Sequence, residues 1–284
     1  MNLGLIGLSI QKSSSPQMHE LLGELNNLPV QYRLQEPQQN SAKAFIETLS
    51  GVREQGYQGV NVTYPFKQVA LDYCDSVDQS VEQVGATNTL KITDQGVEAF
   101  NTDFSGFIRG YQHRLGNLAA GKVLLIGAGG VGRAIAFALF KLGATEVVIY
   151  DLSEHSAQSL ADGINQAGFN ASVITADELT VAALGCDGLV NCTPVGHYTH
   201  PGLPIDKAVI GHQSWAFDAV YTPLDTEFLQ LCVRAGLGIV SGFDLFFYQA
   251  LNAFEIFTGI EVDAVEVMQE YTRRYALNSQ LILS

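Results

Sequence analysis

The chain has 284 residues, 47% of them hydrophobic, which is ample for one large core or two smaller ones and at a length that favours two domains. It carries 29 acidic against 15 basic residues, a net charge of −14. That balance argues against a non-specific nucleic-acid binder, which needs clustered Lys and Arg to neutralise phosphates, and against a polybasic membrane contact. The stretch at residues 3–8 reads as a first strand rather than a signal peptide, because no basic segment precedes it. A Ser-rich turn follows, and a helix opens at Pro16, a residue suited to the first helical position. Residues 30–34 and 59–63 read as further strands, with a helix over residues 42–53 between them. Pro65 is expected to open another helix and so to place Lys67 in its first turn. Residues 89–93 and 97–101 bracket Asp94-Gln-Gly96 and predict a hairpin, an antiparallel feature in an otherwise α/β half.

After residue 101 the texture changes. Lys122-Val-Leu-Leu-Ile126 is a short apolar run of the kind a central parallel strand uses. A helix is expected over residues 131–142, the next strand over 146–150, later strands at 189–192 and 215–220, and two helices from about Gly242 onward. Alternating strand and helix patterns imply parallel sheets joined by crossovers. The most hydrophobic C-terminal stretch is interrupted by Asp244 and Glu255, so no membrane span is expected and the chain reads as cytoplasmic. Cys74, Cys186, Cys192 and Cys232 are scattered, form no CxxC pair and read as buried free thiols. Six scattered histidines without an H-x-x-x-H pairing predict no metal.

Gly127-Ala128-Gly129-Gly130-Val131-Gly132 is a G-x-G-x-x-G that follows an apolar strand and opens a helix. Asp151 ends the next strand 19 positions after Gly132. Such glycines permit a tight turn and let the backbone approach a pyrophosphate resting on the helix amides, while the acid accepts hydrogen bonds from the ribose hydroxyls. A 2′-phosphate would meet the Asp151 carboxylate at close range, and Tyr150-Asp-Leu-Ser153 offers no arginine to offset it. NAD is therefore the expected cofactor, with NADP disfavoured.

Oxidising an alcohol requires a proton to move with the hydride, and a lysine fixed by a carboxylate can carry it. Lys67, at the end of Asn61-Val-Thr63-Tyr-Pro65-Phe-Lys67, and Asp103, in Asn101-Thr-Asp103, are the candidates. Taken singly, Lys67 reads as an exposed helix-start cation and Asp103 as an N-cap to the helix at Phe104. Their surroundings form a recognisable frame. Ser13-Ser-Ser15-Pro16 with His19, Asn61 to Lys67, Gly85-Ala-Thr-Asn88-Thr89, Asn101-Thr-Asp103 with Gly106-Phe107, the glycine loop, Asn191-Cys-Thr193-Pro-Val-Gly196, Asp218-Ala-Val-Tyr221 and residues 242–249 resemble, in order, the motifs of the shikimate dehydrogenase family, including its quinate/shikimate branch.

The resemblance implies two α/β domains with a cleft between them. A substrate-binding domain would take residues 1–104 plus 242–284, and a Rossmann NAD-binding domain residues 105–241. It implies a Lys67–Asp103 catalytic dyad, and Ser13, Ser15, Thr63, Asn88, Tyr221 and Gln249 as groups holding the carboxylate and ring hydroxyls of shikimate or quinate. Thr193, Ala219 and Gly242 match positions lining the nicotinamide and its ribose. The small-molecule partners follow, with the chain a monomer or homodimer. Two departures stand out. Tyr150-Asp151-Leu152 replaces the Asn-Arg-Thr-like segment that binds the NADP phosphate, pointing to the NAD-linked branch. Residues 242–249 read Gly-Phe-Asp-Leu-Phe-Phe-Tyr-Gln where Gly-x-x-Met-Leu before the Gln is common, so the shape of the nicotinamide pocket does not carry over. Two other readings stay open: an NAD-binding sensor without turnover, and a dehydrogenase of an amino-substituted cyclohexane carboxylate.

Overall fold

The computed structural model describes residues 1–282. In the first part of the chain, β1 (Asn2–Ile6), α1 (Ser15–Leu25), β2 (Gln31–Gln35), α2 (Ala42–Glu54), β3 (Gly59–Val62), β4 (Ser76–Val77), α3 (Gln79–Val84), β5 (Thr89–Thr93) and β6 (Gly96–Phe100) alternate as the hydrophobic pattern requires. The six strands form one mixed sheet in the order β2-β1-β3-β5-β6-β4. β1 runs parallel to β2 and β3, whereas β5 is antiparallel to both β3 and β6, as the expected hairpin demands. All four residues of β3 are buried, which accounts for its near-continuous apolar character. Ser41 caps α2 by accepting a hydrogen bond from the Ala44 N–H at 3.2 Å. Phe45, Leu49 and Val52 recur at helical spacing and sink from α2 into the core, each contributing roughly 1.5–3 kcal/mol by burial.

The second part begins with α4 (Thr102–Leu115) and continues through β7 (Gly121–Ile126), α5 (Gly130–Lys141), β8 (Ala144–Tyr150), α6 (Glu154–Gln166), β9 (Ala171–Val173), α7 (Leu179–Leu184), β10 (Gly188–Asn191), β11 (Trp215–Asp218), α8 (Glu227–Arg234), β12 (Gly238–Ser241), α9 (Gly242–Thr258) and α10 (Ala264–Tyr275). Its six strands are all parallel, in the order β12-β11-β10-β7-β8-β9. This is the doubly wound dinucleotide-binding order, whose switch point lies between β7 and β10, so that Ile126 and Asn191 end the strands where a ligand is expected. Trp215 is fully buried in this sheet, and its indole donates to the Ala120 carbonyl at 3.1 Å. Gly188 leaves the space that the indole fills.

Contacts divide the chain into two units, Met1–Ser105 with Gln249–Leu277, and Gly106–Tyr248 with the residues from Asn278 onward. The first seven residues of α9 therefore group with the parallel sheet, not with the first unit as expected from sequence. The cause is local: the Ser241 hydroxyl caps α9 by accepting from the Asp244 N–H at 3.1 Å, while the Asp244 carboxylate accepts in return from Ser241 N–H (2.8 Å) and Oγ–H (2.6 Å) and pairs with Arg114 at 2.9 Å. The C-terminal residues follow for a similar reason. Asp225 accepts from the Ser279 hydroxyl and, at 2.8 Å, from the Gln280 N–H, while Leu281 packs into the core beneath β10 and β11.

Several local expectations are corrected. Pro65 opens no helix; the Phe66 N–H closes a turn on the Thr63 carbonyl at 3.0 Å, and the Lys67 carbonyl is taken by the Thr87 N–H at 2.8 Å. The strand expected at 215–220 stops at Asp218, whose side chain accepts from the Val220 N–H. All four thiols are free, but only Cys186 and Cys232 are buried, with Cys74 and Cys192 half-buried. Among the described residues no helix is long and apolar enough to cross a membrane, and no group of three or more His, Cys, Asp or Glu side chains is placed to hold a metal.

Candidate active site

Lys67 Nζ donates to Asp103 Oδ2 at 2.5 Å, so the two charged residues singled out from distant motifs meet in the first unit. Each is held by its own local structure. Phe66 is buried against Phe45 (ring centroids 5.3 Å apart), which pins the turn that carries Lys67. Asp103 sits in the first turn of α4, but it is not the cap. Asn101 takes that duty: its Oδ1 accepts from the Phe104 N–H at 3.0 Å and its Nδ2 donates to the Ala86 carbonyl at 2.8 Å. With capping assigned to Asn101, the Asp103 carboxylate is left to the lysine.

A buried polar network lies beside this pair in the same unit. The Asn88 Oδ1 accepts from the Thr102 N–H (2.7 Å), the Thr89 hydroxyl (3.0 Å) and the Thr102 hydroxyl (3.1 Å), which orients the amide. Asn61 Nδ2 donates to Thr89 Oγ1 at 3.0 Å, and its Oδ1 accepts from the Tyr32 hydroxyl at 2.8 Å. Thr102 Oγ1 also lies 3.5 Å from Gln249 Oε1. Ser13 and Ser15 are half-buried at the start of α1; the Ser13 hydroxyl donates to Ser15 Oγ at 3.1 Å and accepts from the Ser15 N–H at 3.2 Å. Neither serine side chain caps α1, but the Ser13 hydroxyl, by accepting from the N–H two residues on, closes a turn there. Thr63 follows β3, with its N–H bonded to the Ile6 carbonyl at 2.9 Å and its methyl filling the space over Gly7. Tyr221 belongs to the second unit. There its ring stacks on Phe246 (5.5 Å, 15°), and burial pushes its phenol up.

In the second unit three of the loop's four glycines do three different jobs. Gly127 has φ of +100° and donates its N–H to the Tyr150 carbonyl at 2.8 Å, making the tight turn. Gly129 is exposed, with nothing within 4 Å of where a Cβ would sit, so a ligand can approach its backbone. A methyl on Gly132 would drive into the Gly127 carbonyl, so α5 can pack this close only with glycine there. Ala128, Gly130 and Val131 complete the loop, and Gly130 starts α5. Asp151 accepts from the Ala128 N–H (2.7 Å) and the Ser153 N–H (2.8 Å), which seats its carboxylate at the end of β8 beside the loop. The Arg133 guanidinium leans on α6, 3.1 Å from where a Cβ on Gly163 would stand.

The ends of β10, β11 and β12 supply the rest. Thr193 donates its hydroxyl to Asn191 Oδ1 at 2.7 Å, and Asn191 Nδ2 bridges the Val195 carbonyl (3.0 Å) and Asp218 Oδ1 (2.9 Å). The Thr226 hydroxyl donates to Asp218 Oδ2 at 2.7 Å. Burial nonetheless pushes the Asp218 carboxyl up to about 6. The Ala219 N–H donates to the Asn191 carbonyl at 2.8 Å, and Gly242 packs so closely on the Ala219 carbonyl that a side chain there is excluded. Sequence reasoning missed Tyr32, Asn61, Thr89, Thr102, Asn191 and Asp218 as parts of these networks. All but Tyr32 lie inside the motifs that point to their neighbours, so they were within reach.

Residues 5–90 match the family described as "Shikimate dehydrogenase substrate binding domain", and residues 111–199 match that described as "Shikimate / quinate 5-dehydrogenase". A quinate/shikimate dehydrogenase (NAD(+)) from Corynebacterium efficiens is 36% identical over 266 residues, spanning 92% of this chain and 94% of its own. A shikimate dehydrogenase (NADP(+)) from Pseudarthrobacter chlorophenolicus is 35% identical over 268 residues, spanning 92% of this chain and 90% of its own. The solved structure of quinate dehydrogenase from Corynebacterium glutamicum in complex with NAD is similar at a TM-score of 0.89 and 34% identity, covering 96% of this chain and 99% of that one.

Proposed function

Because the chain belongs to the shikimate dehydrogenase family, we propose that it oxidises a secondary ring hydroxyl of shikimate or quinate reversibly, giving 3-dehydroshikimate or 3-dehydroquinate. The observation that carries this reading is the 2.5 Å contact between Lys67 and Asp103, set beside short hydroxyl and amide groups. Lys67 takes the proton from the hydroxyl being oxidised, and Asp103 holds the lysine in place and shares that proton. Ser13, Ser15 and Tyr221 bind the carboxylate through hydroxyl donors. Thr63, Asn88 and Gln249 pair with the ring hydroxyls, because a small polyhydroxylated acid is best oriented by groups that match each hydroxyl. The first unit is accordingly the substrate-binding domain and the second the cofactor domain.

NAD is the cofactor that fits the second unit: the open backbone at Gly129 suits a pyrophosphate, and the Asp151 carboxylate suits ribose hydroxyls and repels a 2′-phosphate. When bound, it supplies the hydride acceptor. Thr193, Ala219 and Gly242 shape the wall on which the nicotinamide end would rest, and the Asp218–Asn191 hydrogen bonds keep that wall in place. We place the enzyme in the cytoplasm, a reducing compartment in keeping with four free thiols.

Initial rates with shikimate and quinate, each with NAD and NADP, test the proposal. NADH formation from either acid supports it, with NAD favoured over NADP. NAD binding without NADH formation from both acids would instead favour a sensor. Turnover confined to an amino-substituted analogue would favour the related dehydrogenase, since a pocket that pairs each hydroxyl rejects a mismatched group by orders of magnitude.

A further inference from the structure

We propose that Glu36, the residue that follows β2, is a positioning residue that fixes the turn carrying Ser13 and Ser15, and so sets their hydroxyls for the carboxylate of the substrate. The inference rests on the assignment of those serines as carboxylate ligands and goes beyond it, because Glu36 lies in none of the motifs that identify the site.

The chain leaves β1 at Ile6 and must turn before α1 opens at Ser15. Ser9 makes that turn in the left-handed region, at φ of +58°, a conformation that a residue with a Cβ keeps only where its surroundings hold it. The parallel register pairs Ile6 with Gln35, so Glu36 lies level with the start of the turn. Its Oε1 accepts from the Ser9 N–H at 2.6 Å, and its Oε2 accepts from Gln11 Nε2 at 2.8 Å. Both oxygens of one carboxylate are thus spent on two residues of the same turn. These bonds, the Gln11 amide first, hold the Glu36 carboxyl below the usual carboxylate range. On the other side, the Leu8 N–H is taken by the Tyr64 carbonyl at 3.0 Å.

The serines stand directly on this base. Ile10, between the two residues that Glu36 grips, is buried, and its carbonyl accepts from the Ser13 N–H at 2.9 Å. Ser13 Oγ in turn accepts from the Ser15 N–H (3.2 Å) and donates to Ser15 Oγ (3.1 Å). Two neutral hydroxyls answer a carboxylate well only when both are already in place, because a turn that must be ordered on binding loses affinity to that ordering. Charge alone would act in the opposite sense. An acidic side chain near an anion site repels the anion, so a purely electrostatic Glu36 would weaken binding of the acid, and its removal would lower KM. A rise in KM on its removal therefore reports position.

The test measures initial rates for wild type, Glu36→Ala, Glu36→Gln, the double variant Ser13→Ala/Ser15→Ala, and that double variant with Glu36→Ala added. Substrates are shikimate or quinate and the corresponding methyl ester, which lacks the charge that the serines answer. Glu36→Ala is expected to raise KM for the acid about fivefold, the worth of one hydrogen bond, with kcat within about twofold and KM for NAD unchanged. KM for the ester should barely move, so the ester-to-acid ratio falls. That ratio is measured within each preparation and does not depend on how much of a variant folds. Glu36→Gln keeps an acceptor for Ser9 and, with the Gln11 amide turned over, a partner for Gln11, so its KM for the acid should stay within about twofold of wild type. Where both serine hydroxyls are already gone, adding Glu36→Ala should change kcat/KM for the acid by less than about twofold. Four results would each overturn the proposal and leave the serine assignment standing: an unchanged or lowered KM for the acid in Glu36→Ala, equal rises for acid and ester, a Glu36→Gln variant as impaired as Glu36→Ala, or a further loss in the chain without the serine hydroxyls. Absence of turnover of both acids by wild type, or a normal KM in the Ser13→Ala/Ser15→Ala variant, would overturn the underlying site assignment and this inference with it.

Discussion

His19 offers the sharpest test of the packing in the first unit. Its side chain is 1% exposed, stacked on Tyr32 and tilted against Phe254 and Phe257, with no hydrogen-bond partner at Nδ1. Burial lowers the imidazole from 6.5 to about 3. The unfolded chain therefore takes up a proton near pH 6.5, whereas the folded chain resists it until about pH 3. The stability this group contributes is fully present above pH 6.5 and is lost as pH falls through that window. Integrated with that linkage, going from pH 7 to 4.5 should remove about 2.5 kcal/mol through this residue alone. His19→Leu abolishes the proton uptake. Denaturant titrations of both proteins at pH 7 and pH 4.5 give the comparison, because acid loss from carboxylates and any fixed packing cost of the leucine cancel in the difference. Wild type should lose about 2–3 kcal/mol more than the variant between the two pH values. Equal losses would show that the ring is protonated or solvated in the fold, and the reasoning would fail.

Three further outcomes are expected. Lys67→Met should lower kcat by about a hundredfold or more, with NAD affinity close to wild type by fluorescence titration; an unchanged kcat would remove Lys67 from the chemistry. Asp151→Ala should narrow the preference for NAD over NADP in initial rates, and a constant ratio would assign discrimination to another residue. Asp218, raised from 3.8 to about 6 by burial, makes a contribution that is present below pH 3.8 and lost as pH rises through 6. Asp218→Asn should therefore flatten the pH dependence of stability between pH 4 and 6, and calorimetry that finds the same slope in both proteins would contradict the assignment.

Much of the fold was legible because its signals are short-ranged. The runs at β3 and β7, the Asp94-Gln-Gly96 turn and the glycine loop each declare themselves within a few residues. The errors arose where a distant partner decides. Pro65 looks like a helix start until the Lys67 carbonyl is seen to serve the Thr87 N–H, 20 positions away. Asp103 looks like a cap until Asn101 proves to occupy that role. Tyr32 reads as one apolar position in an alternating strand, and nothing near it announces that its hydroxyl answers Asn61, 29 residues on. The Lys67–Asp103 pair is implied only by two motifs taken together; 36 positions separate its members, and no local pattern links them.

The crowding of donors onto one atom of Asn88 has a consequence for which molecules the enzyme can accept. With Oδ1 already claimed by Thr102 twice and by Thr89, the carboxamide cannot turn over without abandoning three bonds, so in the role proposed for it Asn88 would meet a ring hydroxyl with N–H alone. A ring hydroxyl tolerates that because its oxygen has lone pairs to give. An ammonium group at the same carbon has none, and would set hydrogen against hydrogen.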